Sequence, residues 1–153
     1  MSAVVFAALV GVAGAAPAGP SFHGKPVAVD AACTFAPMGP GIGAVRCEGI
    51  ELIVGGKKGS DAGRVVEGFL ATVRKGASQT LGLTETQGTC KMDGVATTCH
   101  ELILAGHENS VRVVVGGFVA EGRVNFASCR YGPSSAPVPA PCDAIFTDWA
   151  YTE

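Results

Sequence analysis

Charged residues are scarce in this sequence, and neither sign predominates. Its 153 residues include 11 lysines and arginines against 13 aspartates and glutamates, which gives a formal net charge of −2 at pH 7. A nucleic-acid-binding surface needs a basic patch or stripe, and this balance argues against one. Hydrophobic residues make up 48% of the chain, so the chain has enough apolar side chains for a core and is not typical of a disordered protein. The length predicts a single domain.

The sequence also lacks the short motifs that mark common catalytic and cofactor sites. It contains no G-x-S-x-G nucleophile motif, no C-x-x-C-H haem motif and no two closely spaced ligand pairs of a zinc site. The three histidines, His23, His100 and His107, are far apart in the sequence. The sequence therefore predicts no catalytic residue, no cofactor and no metal ligand.

An apolar run at the N-terminus is too short to span a membrane. Residues 3–16 are apolar, whereas a transmembrane helix needs about 20 such residues. The run ends in small residues with an A-x-A pattern at Ala13-Gly14-Ala15, which predicts a secretory signal peptide over residues 1–15. No lysine or arginine precedes the run, unlike in most signal peptides, and a buried N-terminal strand or helix is the alternative. We expect export to the periplasm or the outside of the cell, and no integral membrane span.

Six cysteines follow this segment, and an even number in an exported protein predicts disulfides. The spacing favours sequential pairing, because neighbouring cysteines bracket predicted turns. The predicted pairs are Cys33–Cys47, Cys90–Cys99 and Cys129–Cys142. The middle pair would join the two strands of a hairpin, with Cys90 directly opposite Cys99. That register predicts a turn centred on Gly94-Val95, or a four-residue loop over 93–96, in place of a two-residue Asp93-Gly94 turn.

Alternating and valine-rich segments predict an antiparallel sheet of about six strands. The predicted strands are residues 26–35, 44–54, 81–90, 97–104, 111–119 and 123–130. Residues 37–43 predict an irregular turn cluster, and a change of face at Gly49 predicts a bulge. A two-residue Glu121-Gly122 turn would place Val119 opposite Val124, which keeps the valines of both strands on one face.

One main helix is predicted over about residues 61–75, with Ser60 or Asp61 as its cap. Its apolar residues fall on one helical face and are expected in the core. They are Val65, Val66, Phe69, Leu70 and Val73. Gly68 in the helix interior costs about 1 kcal/mol relative to alanine, which predicts close packing there. The tail from Cys142 predicts a short C-terminal helix, so the fold class expected for residues 22–153 is a single disulfide-stabilised α+β domain.

The layout resembles that of PsbP-like α+β domains, which occur in exported bacterial proteins. The helix GRVVEGFLATVRKG, the valine-rich strands after it and the SCRY…PCDAIF connection carry this resemblance. A cystatin-like layout, with one helix on a four-stranded meander, is similarly close. Either resemblance implies a fold only, because function depends on the sites that a fold carries.

The segment GGKKGSD, residues 55–61, predicts a loop that leads into the helix. Two lysines and the N–H groups of a helix start make Lys57, Lys58 and Ser60 a candidate anion-binding loop. Solvated lysines in a glycine-rich loop are the alternative.

The leading interpretation is a small exported domain that binds a protein or small molecule, or that serves as a structural accessory. A hydrolase-like enzyme that uses scattered polar residues, such as His100 or His107, is one alternative. A protease-inhibitor-like module, suggested by the cystatin-like layout, is another.

Overall fold

The computed structural model describes residues 19–77 and 81–151 of the chain. The predicted signal peptide, residues 1–15, lies outside the described residues. Within these ranges there are ten strands and two helices. The strands are β1 (Ser21–Phe22), β2 (Lys25–Pro26), β3 (Thr34–Gly39), β4 (Ile42–Cys47), β5 (Ile50–Lys58), β6 (Gly82–Met92), β7 (Val95–Ala105), β8 (Ser110–Ala120), β9 (Arg123–Tyr131) and β10 (Phe146–Tyr151). The helices are α1 (Ala62–Gly76) and α2 (Ala140–Asp143).

Eight of these strands form one antiparallel sheet in the order β10-β6-β7-β8-β9-β5-β4-β3, and β1 and β2 form a separate two-stranded sheet. The predicted class, an α+β domain with about six strands, is therefore wrong, because the described chain is mainly β with two short helices. The α+β interpretation gave too much weight to the single clear helical pattern and missed strands in glycine-rich and C-terminal segments.

Tight turns set the register of the central strands. Glu121 and Gly122 both have positive φ, 52° and 69°, which matches the right-handed twist of a two-residue hairpin. Val119 pairs with Val124 across this turn. The register predicted for β8 and β9 is confirmed.

The helix is confirmed to within one residue at each end. The Asp61 carboxylate accepts a hydrogen bond from the Arg64 N–H at 2.9 Å, which satisfies a donor that the first turn leaves without a helical partner. Arg74 and Lys75 occupy the last turn, where positive charge is favourable. Arg74 also forms an ion pair with Glu85 at 2.6 Å, which joins α1 to β6.

The sheet carries a packed core on each of its faces. The face under α1, here called the helix face, buries Leu102, Leu104, Val113 and Val115 against Leu70. The opposite face, here called the disulfide face, packs against residues outside the large sheet. They include Phe22 from β1, Cys142 from α2 and Ile145.

The structure differs from the predictions at two glycine-containing segments. Residues 37–43 were expected to be a turn cluster, but β3 and β4 continue into it and leave only a short turn at Pro40-Gly41. Gly49 was expected to form a bulge, but it lies in a turn between β4 and β5, with Cys47 opposite Ile50. The predicted strand 44–54 is therefore a hairpin. The predicted strand 26–35 is also wrong, because only its ends lie in β2 and β3.

The hairpin of β6 and β7 turns at Asp93-Gly94, which the sequence interpretation had rejected. Met92 pairs with Val95, so Cys90 lies opposite Thr97 and Cys99 opposite Gly88. The two cysteines occupy diagonal positions on one face, and their Cα atoms are 5.8 Å apart. This separation lies within disulfide range. The expectation that bonded cysteines must be directly opposite was the error.

The C-terminal segment is a strand where a helix was expected. Helix α2 ends at Asp143, and Phe146–Tyr151 then pairs with β6 as the edge strand β10. Ile145 and Phe146 are buried, at 3% and 2% exposure. They pack on the disulfide face beside the sulfur atoms.

Three disulfides join the cysteines in the sequential pairs predicted from their spacing. They are Cys33–Cys47, Cys90–Cys99 and Cys129–Cys142, and none of the six is free. Three intramolecular disulfides indicate an oxidising environment of the kind that exported proteins meet. Across residues 19–77 and 81–151, no helix has the length and apolar character needed to cross a membrane.

Candidate ligand-binding groove

A long groove runs between α1 and the helix face of the sheet. Helix α1 packs on β8 and β9, so the neighbouring strands β5 and β4 remain uncovered on that side. The groove between α1 and these strands has a volume of about 1020 Å³. Pockets that hold small molecules and cofactors typically measure about 300–1,000 Å³, so this groove has the size of a ligand site.

One stripe of α1 forms the helical wall of the groove. The wall residues recur every three or four positions, as one face of a helix requires. They are Asp61, Arg64, Val65, Gly68, Phe69, Thr72, Val73 and Gly76. A Cβ atom added at Gly68 would meet nothing within 4 Å, which contradicts the close packing predicted there. The glycine borders open space in the middle of the wall.

Apolar side chains from three strands form the opposite wall and floor. Ile42 of β4, Ile53 of β5 and Phe126 of β9 line the groove. The ring of Phe126 packs against that of Phe69, with 5.2 Å between centroids. The two rings therefore join the floor of the groove to its helical wall.

The hydroxyl of Ser128 interrupts this apolar floor. Ser128 of β9 is only 7% exposed, and it lines the groove on the same strand face as Phe126. Among the described residues its hydroxyl has no hydrogen-bond partner. Because this hydroxyl can donate or accept a hydrogen bond, Ser128 is suited to contact a polar atom inside the groove.

The amino end of the groove, named for the start of α1, is lined by Lys57, Ser60, Asp61 and Arg64. This arrangement corrects the predicted loop, because Lys57 and Lys58 belong to β5 and pair with Val124 and Arg123 of β9. Neighbouring side chains on a strand point to opposite faces. Lys57 therefore lines the groove with Ser60, whereas Lys58 belongs to the disulfide face. Their role in anion binding stays a prediction.

The carboxyl end of the groove, beside the end of α1, carries a more balanced set of charges. Glu51 and Arg130 line it, together with Asn109. Glu51 accepts a hydrogen bond from Nε of Arg46 at 2.8 Å. A smaller cavity of about 490 Å³ adjoins this end and shares Glu51, Asn109 and Arg130 with it.

The two histidines proposed for an alternative enzyme lie outside this groove. His107 is exposed after β7, and His100 is half-buried on the helix face of β7. Burial lowers the pKa of His100, and the nearby Glu85 and Glu67 carboxylates oppose that effect. Among the described residues, no histidine and no cysteine lines the groove.

A second polar cluster, which the sequence interpretation missed, lies at the Asp93 turn. The Asp93 carboxylate contacts Nδ1 of His23 at 2.7 Å and accepts a hydrogen bond from Lys25 at 2.6 Å. The hydrogen bonds from Lys25 and then His23 lower the pKa of Asp93. The cluster ties the β1–β2 hairpin to the β6–β7 turn. The sequence does not reveal this cluster, because it forms where the His23-Gly24 and Asp93-Gly94 turns, which are 70 residues apart, lie together.

In the part of the chain that the structure describes, no group of three or more histidine, cysteine, aspartate or glutamate side chains could hold a metal ion. All six cysteines are in disulfides. The side chains that the sequence singled out therefore contribute in two ways. The cysteines fix the sheet, and Lys57 and Ser60 lie at the amino end of the groove.

The chain was compared with protein-family models, with curated proteins and with solved structures, and none of the three comparisons found a match. The resemblance to PsbP-like or cystatin-like domains therefore stays a prediction. The function has to be inferred from the groove and from the residues that line it.

Proposed function

We propose that this protein is an exported binding protein that holds an apolar small molecule in the groove between α1 and the sheet. The main observation that supports this proposal is the groove itself, which has a volume of about 1020 Å³ and a mainly apolar lining. Ligand sites are typically concave and apolar, with a few polar groups that orient the ligand. Ser128 and the charged residues at the two ends supply such groups.

The open helical wall supports this proposal. A glycine inside a helix costs about 1 kcal/mol relative to alanine, and at Gly68 no neighbouring atom would obstruct an added Cβ. Local packing therefore gives no reason for glycine at this position. A ligand that needs the space beside Gly68 gives one.

The composition of the groove favours binding over hydrolysis. Nucleophilic catalysis needs an activated serine, cysteine or similar group beside a base. Ser128 could supply a nucleophilic hydroxyl, but among the described residues that line the groove no histidine is present as a base. Export is supported by the three disulfides and by the predicted signal peptide. Mass spectrometry of the secreted protein tests export, because the secreted chain should lack about the first 15 residues.

Titration with N-phenyl-1-naphthylamine, a neutral apolar dye that fluoresces in apolar surroundings, tests the proposal. The wild-type protein should bind the dye saturably at one site. Ile53→Gln, which makes the groove wall polar without adding bulk, should weaken binding by about tenfold, the equivalent of losing one well-buried apolar side chain.

The matched control is Ile103→Gln. Ile103 is also half-buried in a strand of the sheet, but it does not line the groove. This variant should bind the dye as the wild type does. If the wild type does not bind the dye, or if the two variants lose affinity equally, the groove is not the binding site.

A further inference from the structure

Positive charge is concentrated at the amino end of the groove. Lys57 and Arg64 line this end, and Asp61 is the acidic residue that lines it with them. The Asp61 carboxylate accepts a hydrogen bond from the Arg64 backbone N–H and keeps its charge, so these three groups carry a net charge of +1. Among the described residues, the Lys57 ammonium and the Arg64 guanidinium form no ion pair. The amino end therefore offers two cationic groups without a carboxylate partner.

Two further basic residues, Lys58 and Arg123, lie on the opposite face of the sheet and do not line the groove. Lys58 and Arg123 are paired across β5 and β9 next to Lys57. The Arg123 guanidinium donates a hydrogen bond to the backbone oxygen of Gly56 at 2.8 Å and lies on the face away from the groove.

The carboxyl end does not show the same excess. Its groove-lining charges are Glu51 and Arg130, one of each sign, whereas two cations and one carboxylate line the amino end. Lys57 and Glu51 are six residues apart on β5, which corresponds to about 20 Å at roughly 3.3 Å per residue. The apolar side chains of Ile53 and Phe126 lie between the two ends.

An elongated apolar groove with a cationic end is complementary to an amphiphile whose apolar chain ends in an anion. We infer that the ligand is a single-chain carboxylate amphiphile of the long-chain fatty acid class. Its carboxylate would contact Lys57 and Arg64, and its chain would lie along Ile53 and Phe126. Charge-assisted hydrogen bonds from lysine and arginine to a carboxylate are among the stronger polar contacts in proteins. This inference rests on the proposed function, since it names the class of molecule that the same groove holds.

Displacement of bound N-phenyl-1-naphthylamine by oleate and by oleyl alcohol separates the two claims. The two molecules have the same chain and differ at the end group. At low ionic strength, and at a pH where oleate is ionised, the wild type should bind oleate at least about tenfold more tightly, the equivalent of one charge-assisted hydrogen bond. Equal affinities would overturn the carboxylate inference but leave the groove proposal standing. Failure of both molecules to displace the dye would overturn the inference, and failure of the dye itself to bind would overturn the groove proposal too.

Charge-removing variants test where the carboxylate lies. The double variant Lys57→Gln with Arg64→Gln should lose most of the preference for oleate and keep its affinity for oleyl alcohol. Lys58→Gln is the matched control, because Lys58 is the next residue on β5 and belongs to the opposite face of the sheet. It should keep the preference. If Arg130→Gln removes the preference and the double variant does not, the carboxylate lies at the other end and the inference is wrong.

Discussion

Gly55 of β5 lies directly opposite Phe126 of β9, and a Cβ atom at Gly55 would come within 2.5 Å of Cζ of the Phe126 ring. The ring therefore occupies the space above the glycine. Phe126 is 1% exposed and forms part of the groove floor. This pair explains why position 55 is a glycine, because any side chain there would collide with the ring.

Replacing Gly55 with alanine should force the Phe126 ring to move. Overpacking of this kind typically costs about 1–3 kcal/mol, and displacement of the ring should also weaken dye binding. Gly56→Ala is the matched control, because its added Cβ would approach nothing closer than 3.4 Å. Urea denaturation of both variants checks this prediction. Equal midpoints would show that the ring does not depend on the glycine.

Alanine variants of Phe69 and Leu70 should affect stability and dye binding to different extents. Leu70 is 0% exposed, so Leu70→Ala should cost about 2–5 kcal/mol. The sequence placed Phe69 in the core as well, but the structure leaves it half-buried on the groove wall. Phe69→Ala should therefore cost less stability than Leu70→Ala and should weaken dye binding more. Denaturation and dye titration of both variants check this prediction. A larger loss of stability in Phe69→Ala, or a larger loss of dye affinity in Leu70→Ala, would contradict the placement of Phe69 on the groove wall.

Much of this fold could be predicted from local signals in the sequence. Asp61 with the apolar stripe after it defined α1. The Glu121-Gly122 turn fixed the register of β8 and β9, because the turn type and the valine pattern agreed. The even number of cysteines predicted disulfides, and their spacing predicted the correct pairs. Each of these features is decided by residues that are close in sequence.

The parts that were wrong depend on partners that are distant in sequence. Gly55 and Gly56 are in a strand because β9 lies beside them, and Phe146–Tyr151 is a strand because β6 offers it an edge. The groove depends on where α1 rests across the sheet, which no local pattern encodes. Only Lys57 and Ser60 of the site were identified beforehand, as a lysine-rich segment before a helix.

The stability of the protein should fall as the pH falls from about 7.5 to about 5.5, partly through His100. Burial lowers the pKa of His100 from an unfolded value near 6.5. Between the two pKa values the unfolded state therefore binds more protons than the folded state. The free energy of unfolding decreases as the pH falls through that interval. His100→Gln should reduce the change in urea midpoint between these pH values. His107→Gln, at an exposed position, should leave the change as it is, and the same result for both variants would contradict this role.

The three disulfides should differ in their contribution to stability. Cys90 and Cys99 are 2% and 0% exposed, whereas Cys33 and Cys47 are half-buried near the β3 edge of the sheet. A disulfide typically contributes about 2–4 kcal/mol. Replacing Cys90 and Cys99 together with alanine should cost at least this much, since the cavity left in the core adds to the loss. The same replacement at Cys33 and Cys47 should cost less, and a larger loss at the edge pair would contradict this ranking.

The most direct test of the groove is to measure the stability and the dye affinity of Gly68→Leu together. The added side chain would enter the groove, so dye binding should fall by at least about tenfold. Because leucine favours a helix more than glycine does, the stability should stay equal or rise by about 0.5–1 kcal/mol. Ala71→Leu adds a leucine side chain at an exposed position of α1 that does not line the groove, and it should leave binding unchanged. A folded Gly68→Leu protein that binds the dye as well as the wild type would contradict the account.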